Sequence, residues 1–211
     1  GKKFMSTSAI VGTSVPEAVG YAYALKYKDE KGSVICYLGD GATEEGVFWE
    51  SINFAVLHKL PIIFICENNK YAIYTHQSRR SAGDEIYKKA QSFGVASSKI
   101  VEDDAKVIYE VTHNILSQIS KIKNPYLLEI ETYRWYDHVG VGTSDEYDYR
   151  DKNEIQTAKE KDYLKYLEAV LNPKDVEKIN IRVNNEIDNA IEFAENSEFP
   201  GETELLDNVY G

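Results

Sequence analysis

The chain has 211 residues, enough for one domain with a sizeable hydrophobic core, and its composition is ordinary apart from 16 tyrosines. Its 35 acids against 24 Lys and Arg leave a net charge of -11, which argues against a nucleic-acid surface and against a polybasic membrane patch. No apolar run is long enough to span a bilayer or reads as a signal peptide.

In chain order, Ile10 to Val15 leads through Pro16, a good first-turn residue, into PEAVGYAYALKYK, which predicts a helix from about Pro16 to Lys28. SVICYLG (Ser33 to Gly39) predicts a short apolar strand that stops at a Gly-Asp-Gly turn. Val47, Phe48, Ile52, Ala55 and Val56 repeat at helical spacing, so Thr43 to Leu57 is expected to be helical. Pro61 ends that helix, and Ile62 to Cys66 predicts the next strand. A helix from Ala105 to Ile122 then precedes a strand at Tyr126 to Thr132.

Strands alternating with helices predict an α/β fold: a mostly parallel sheet with right-handed crossovers and helices on both faces. From about residue 151 the pattern changes. Asp151 to Leu171 and Lys174 to Asn196 read as charged amphipathic helices, a helical C-terminal tail on a single domain spanning 1–211. Cys36 and Cys66 both fall in apolar strand runs and are expected to be buried free thiols, which points to a reducing, cytoplasmic compartment.

The chemistry concentrates in GDGATEEGVFWESINFAVLHKLPIIFICENN, Gly39 to Asn69. Ligands of open α/β sheets collect beyond the carboxyl ends of the strands, and both Asp40 and the Asn68-Asn69 pair stand just past such ends. An Asp carboxylate, an Asn oxygen, backbone carbonyls and phosphate oxygens form the ligand set that Mg²⁺ prefers. Gly39 and Gly41 allow close backbone approach, and a helix starting near Thr43 would offer free N–H groups to an anion. The inferred site is a Mg²⁺-bridged phosphate. A Gly-Asp-Gly is often only a turn, and two asparagines after a strand are usually a turn or cap; the signal is the pair on consecutive strands. Neither the P-loop pattern nor the dinucleotide fingerprint is met, because no Gly-Lys-Ser/Thr follows and Glu44 stands where a third glycine is required.

GDG, then 26 residues, then NN resembles the thiamine diphosphate-binding fingerprint. AIVGTSVPEAVGYAYALKYK, the GDG…NNKYAI stretch and ETYRWYDHVG…SDEYDYRDKNEI together resemble the alpha subunit of the thiamine-dependent 2-oxo acid dehydrogenase (decarboxylating) component, from about Phe4 to Leu171, with ELLDNVYG similar to the family's C-terminal end. The resemblance implies the thiamine diphosphate-binding fold, thiamine diphosphate and Mg²⁺ as cofactors, and oxidative decarboxylation of a 2-oxo acid with acyl transfer to a lipoyl-type acceptor. It implies that Asp40, the Asn69 side chain and the Tyr71 carbonyl hold Mg²⁺. Gly41 and Ala42 would meet the diphosphate through backbone N–H groups, and Val11 the aminopyrimidine ring. His138 in YDHVG matches the active-site histidine, while Arg134, Asp145, Tyr149 and Arg150 fall on the loop that orders around the cofactor.

The implied partners are a beta subunit, in an alpha2beta2 heterotetramer, and a lipoyl acyltransferase component. The glutamate that activates the aminopyrimidine belongs to the beta subunit in this family, so the chain alone is expected to be catalytically incompetent. The family's N-terminal segment, with an aromatic-basic pair that helps bind the diphosphate, is expected to be missing: a fragment or a reduced form. Ala9 and Val139 stand where the family commonly has Gly and Ser. Two alternatives stand beside this reading: a split transketolase-like subunit that shares GDG…NN, and a truncated, non-catalytic partner subunit.

Overall fold

A computed structural model of the chain describes residues 4–83, 85–101, 104–122, 124–140, 142–143 and 149–207. Four parallel strands form the central sheet: β1 (Val34–Gly39), β2 (Ile62–Asn68), β5 (Ala96–Ile100) and β6 (Tyr126–Glu131), in spatial order β1-β2-β6-β5. A two-stranded hairpin, β3 (Tyr71–Ala72) and β4 (Thr75–His76), follows β2. Among the described residues there are seven α-helices: α1 (Ser14–Tyr27) before β1, then α2 (Gly46–Leu57), α3 (Ile86–Gln91), α4 (Ala105–Ile122), α5 (Lys152–Glu160), α6 (Tyr163–Val170) and α7 (Pro173–Asn196).

The β1–α2–β2 and β5–α4–β6 crossovers run in opposite directions across the sheet. Right-handed connections must then place their helices on opposite faces. They do. Cys36, Leu38, Ile62, Phe64 and Cys66 face α1, α2 and α3 through Val15, Val19, Phe48, Ile52 and Ile86. Ile63, Ile65, Leu128 and Ile130 face α4 through Ile115 and Ile119. β2 carries the continuous apolar run because it is covered on both sides; β1 is covered on one, leaving Ile35 and Tyr37 exposed.

The expected α/β fold with a parallel sheet is therefore observed, with three local differences. Helix α1 begins at Ser14, so Pro16 lies inside its first turn, where a missing N–H costs nothing. The helix expected from Thr43 begins at Gly46, because Asp40–Glu44 forms a 3₁₀ turn closed by the Thr43 hydroxyl donating to the Asp40 carbonyl at 2.7 Å. A fourth strand, β5, and helix α3 went unread. β5 is an edge strand with only Ile100 fully buried, so its sequence ASSKI lacks an apolar signature.

Contacts divide the chain into two compact units, Gly1–Lys161 and Asp162–Gly211. The helix expected over Asp151 to Leu171 is broken into α5 and α6, and Asp162 caps α6 by accepting from Leu164 N at 3.0 Å. In the second unit Asn172 caps α7, Pro173 occupies its first turn, and Ile179, Val183, Ile187 and Ile191 run along one stripe. No described helix is long and apolar enough to cross a membrane.

Candidate metal and phosphate site

β1 and β2 are in parallel register, with Gly39, the last residue of β1, opposite Glu67, the last but one of β2. Asp40 is thereby set beside Asn68, and β6 brings Glu131 level with Asn68 from the other side. The Asp40 side chain is 2% exposed. The 3₁₀ turn packs onto the hairpin closely: a Cβ on Gly41 would lie 3.0 Å from the Ala72 Cβ. Glycine is required here by close approach. The two arms read in the sequence, GDG and NNKYA, do converge.

The two asparagines have different work. Asn68 is fully buried and its amide is committed, with Nδ2 donating to Glu129 Oε1 at 2.8 Å and to Gln77 Oε1 at 3.3 Å. Its Oδ1 accepts from Lys70 N at 2.9 Å, an Asx turn that supports the positive φ of 68° at Lys70. Asn69 is only half-buried, and its Oδ1 accepts one bond, from Tyr71 N at 3.0 Å. An amide oxygen has a second lone pair, so Asn69 retains capacity to ligate. Asn68 is structural and Asn69 is the candidate ligand.

Tyr71 is held at three points. Its hydroxyl donates to Glu154 Oε2 at 2.8 Å, its ring lies 4.7 Å from the Arg150 guanidinium, and its backbone pairs with His76. Burial first, then the Glu154 carboxylate, pushes the phenol well above its ordinary range, so it stays protonated. The fixed ring fixes the backbone carbonyl, which is the candidate ligand atom. Lys70 and Lys99 close the rim by pairing with Glu131. Burial raises that carboxyl, but the two lysines outweigh it and leave its pKa below the ordinary carboxylate value.

His138 is exposed, and the structure connects it to the same hairpin. Arg134 Nη1 lies 3.2 Å from His138 Nδ1, while Arg134 Nη2 donates to the Ile73 carbonyl at 2.9 Å and to the Tyr149 hydroxyl at 3.2 Å. A guanidinium can only donate, so Nδ1 is the acceptor and the imidazole proton sits on Nε2. Ile73 has φ 55°, a conformation a β-branched residue avoids, and the Arg134 bond to its carbonyl helps hold it there. Arg150 supports the loop from beneath, donating to the Arg134 carbonyl at 2.8 Å and stacking on Tyr133 at 4.4 Å. Asp137, beside His138 in the chain, is buried. Asp145 lies outside the described residues.

Val11 is exposed on the turn before α1, where Gly12 has φ 83° and its absent Cβ leaves room for Glu45 and Val47 at about the start of α2. Gly39 is exposed, while Ala42 is buried against the core. His58, His76 and His113 pack against aromatic rings. Among the described residues no three His, Cys, Asp or Glu side chains converge, so a metal here would rest on one carboxylate, one amide and carbonyls. Such oxygen donors fit Mg²⁺, and positive charge already sits there. Arg80 Nη2 donates to Asp40 Oδ2 at 2.5 Å, and Arg80 Nη1 pairs with Glu44. Sequence reading missed Arg80; only its ion pairs, with Glu44 36 residues away and with Asp40, reveal it.

The sequence model described as dehydrogenase E1 component matches residues 1–202. The alpha subunit of the pyruvate dehydrogenase E1 component from Rickettsia prowazekii is 36% identical over 99% of this chain and 65% of its own length. The alpha subunit of acetoin:2,6-dichlorophenolindophenol oxidoreductase from Bacillus subtilis is 31% identical over 99% of this chain and 63% of its own. The chain thus spans about two-thirds of the length of these relatives. Among solved structures, transketolase from Campylobacter jejuni superposes with a TM-score of 0.51 at 27% identity, covering 58% of this chain and 20% of that one.

Proposed function

The chain belongs to the dehydrogenase E1 component family, and from that premise we propose that it is the cofactor-anchoring part of the alpha subunit of a thiamine diphosphate-dependent 2-oxo acid dehydrogenase. The observation that carries this reading is the convergence of Asp40 with the Asn69–Tyr71 turn at the ends of two neighbouring parallel strands.

Asp40, the Asn69 side chain and the Tyr71 carbonyl would hold Mg²⁺, and Gly39, Gly41 and Ala42 would line the diphosphate. Val11 would meet the aminopyrimidine. Thiamine diphosphate, when bound, supplies the nucleophilic carbon and the electron sink that let a 2-oxo acid lose CO₂. The chain's own contribution is anchoring and proton handling. Asn68, Glu129 and Lys70 fix the turn that carries Asn69, while Arg150 and Glu154 fix Tyr71. Arg134 occupies His138 Nδ1, so the imidazole would present its Nε2–H to the reacting centre as a neutral proton donor.

The carboxylate that activates the cofactor is assigned to a beta subunit, in an alpha2beta2 heterotetramer, with a lipoyl acyltransferase component as acyl acceptor. Two buried free thiols are consistent with a reducing, cytoplasmic setting. The test is turnover by the full-length alpha subunit mixed with its beta partner, thiamine diphosphate and Mg²⁺. Oxidation of pyruvate or another 2-oxo acid is expected; turnover of acetoin or of ketol sugars instead would reassign the substrate, and binding with no turnover of any of them would leave a scaffold.

A further inference from the structure

Arg80 is attached at more points than a surface arginine needs. Its side chain is 9% exposed; Nη2 reaches Asp40 Oδ2 at 2.5 Å and the Lys70 carbonyl at 3.4 Å, Nη1 pairs with Glu44, and Nε donates to the Thr75 carbonyl at 2.8 Å. The guanidinium thus bridges the two arms between which a metal would sit, the GDG turn and the Asn69–Tyr71 turn. A carboxylate as buried as Asp40 needs a counter-cation, and Arg80 supplies it.

We propose that Arg80 is a resident cation at the metal position, which yields Asp40 when a divalent cation binds, so that the two compete for one carboxylate. The proposal rests on the site reading above. A divalent cation and a guanidinium on the same poorly solvated carboxylate repel each other. Glu44 gives Arg80 somewhere to go: it is the more exposed of the two acids, 33% against 2%, and already holds Nη1. Nη2 can therefore leave Asp40 while Nη1 keeps its partner. Without the cation, Arg80 clamps turn to hairpin; with it, the cation takes over the clamp.

The experiment titrates Mg²⁺ alone into the assembled full-length protein and reads the rise in melting temperature, for wild type, Arg80→Gln and Arg80→Lys. Competition predicts that Arg80→Gln melts lower than wild type without Mg²⁺ and is half-stabilised at about tenfold less Mg²⁺, within the usual range of coupling between ligands. The gap in melting temperature should close at saturation. Arg80→Lys keeps the charge but not the fork, so it should fall between the two, and it decides the matter if Arg80→Gln does not fold. An Mg²⁺ requirement equal to or above that of wild type in the folded variants overturns the proposal, since Arg80 would then be a permanent strut. A wild type that responds neither to Mg²⁺ nor to Mg²⁺ with thiamine diphosphate overturns the site reading instead.

Discussion

Asn68 and Asn69 are chemically identical neighbours, yet one is fully buried in a hydrogen-bond network and the other keeps an oxygen in reserve. Their substitutions should separate accordingly. Asn68→Ala removes one hydrogen bond from the buried Glu129 carboxyl, which keeps Tyr87 N, and leaves the Gln77 and Lys70 N partners unmet; it should cost about 2 kcal/mol of stability. Asn69→Ala should leave the melting temperature nearly unchanged and weaken Mg²⁺-dependent cofactor binding; thermal melts and calorimetry on the same pair of proteins check both halves. At His138, replacement by Gln in the assembled enzyme should lower turnover by about 10²-fold or more while cofactor affinity holds, the signature of a lost proton-transfer group. Glu131 sets a pH limit. Its carboxyl pKa is depressed by Lys70 and Lys99, so its contribution to stability is present above the unfolded value of about 4.3 and is lost as pH falls through the folded value. Glu131→Gln should therefore flatten the acid limb of the stability curve relative to wild type.

At the scale of elements, strands β1 and β2 do the positioning, and their sequence announced it. Both are apolar runs followed by polar turn residues, so the strands were legible, though β2 runs through Asn68, two residues past the expected Cys66. Helix α2 was legible in its apolar period but not in its start, because the short 3₁₀ turn after Asp40 is set by a side-chain bond from Thr43. β5 was not legible: an edge strand needs little apolar character, and ASSKI reads as loop. The contact of the GDG turn with the hairpin could not be read either, since it joins Gly41 to Ala72 across the fold. Gly41→Ala would drive a Cβ to within 3.0 Å of the Ala72 Cβ. With no flexible side chain to yield, the turn and hairpin must part, at a cost of about 2 kcal/mol. Denaturant unfolding would measure it, and a neutral result would mean that the two arms are not pressed together.

Over the whole molecule, the sheet supplies a rigid floor and leaves the chemistry on its carboxyl edge. Burial pushes the Cys36 thiol up to about 11 and lifts Cys66, by burial and then by the nearby acids, well above the thiol range. Both should resist alkylation at neutral pH until the protein unfolds. The resemblance carried by the motifs named the family, and the geometry added what a linear motif cannot carry: that Asn68 is committed while Asn69 accepts one bond, that Arg134 meets His138 at Nδ1, and that Arg80 pairs with Asp40. The account turns on Asp40 and Asn69 gripping one magnesium ion. Calorimetric titration of thiamine diphosphate into the assembled full-length protein, with and without Mg²⁺, tests this most directly when wild type is compared with Asp40→Ala. We expect saturable, Mg²⁺-dependent binding in wild type and none in the variant; equal binding by both, or binding indifferent to Mg²⁺, would contradict the account.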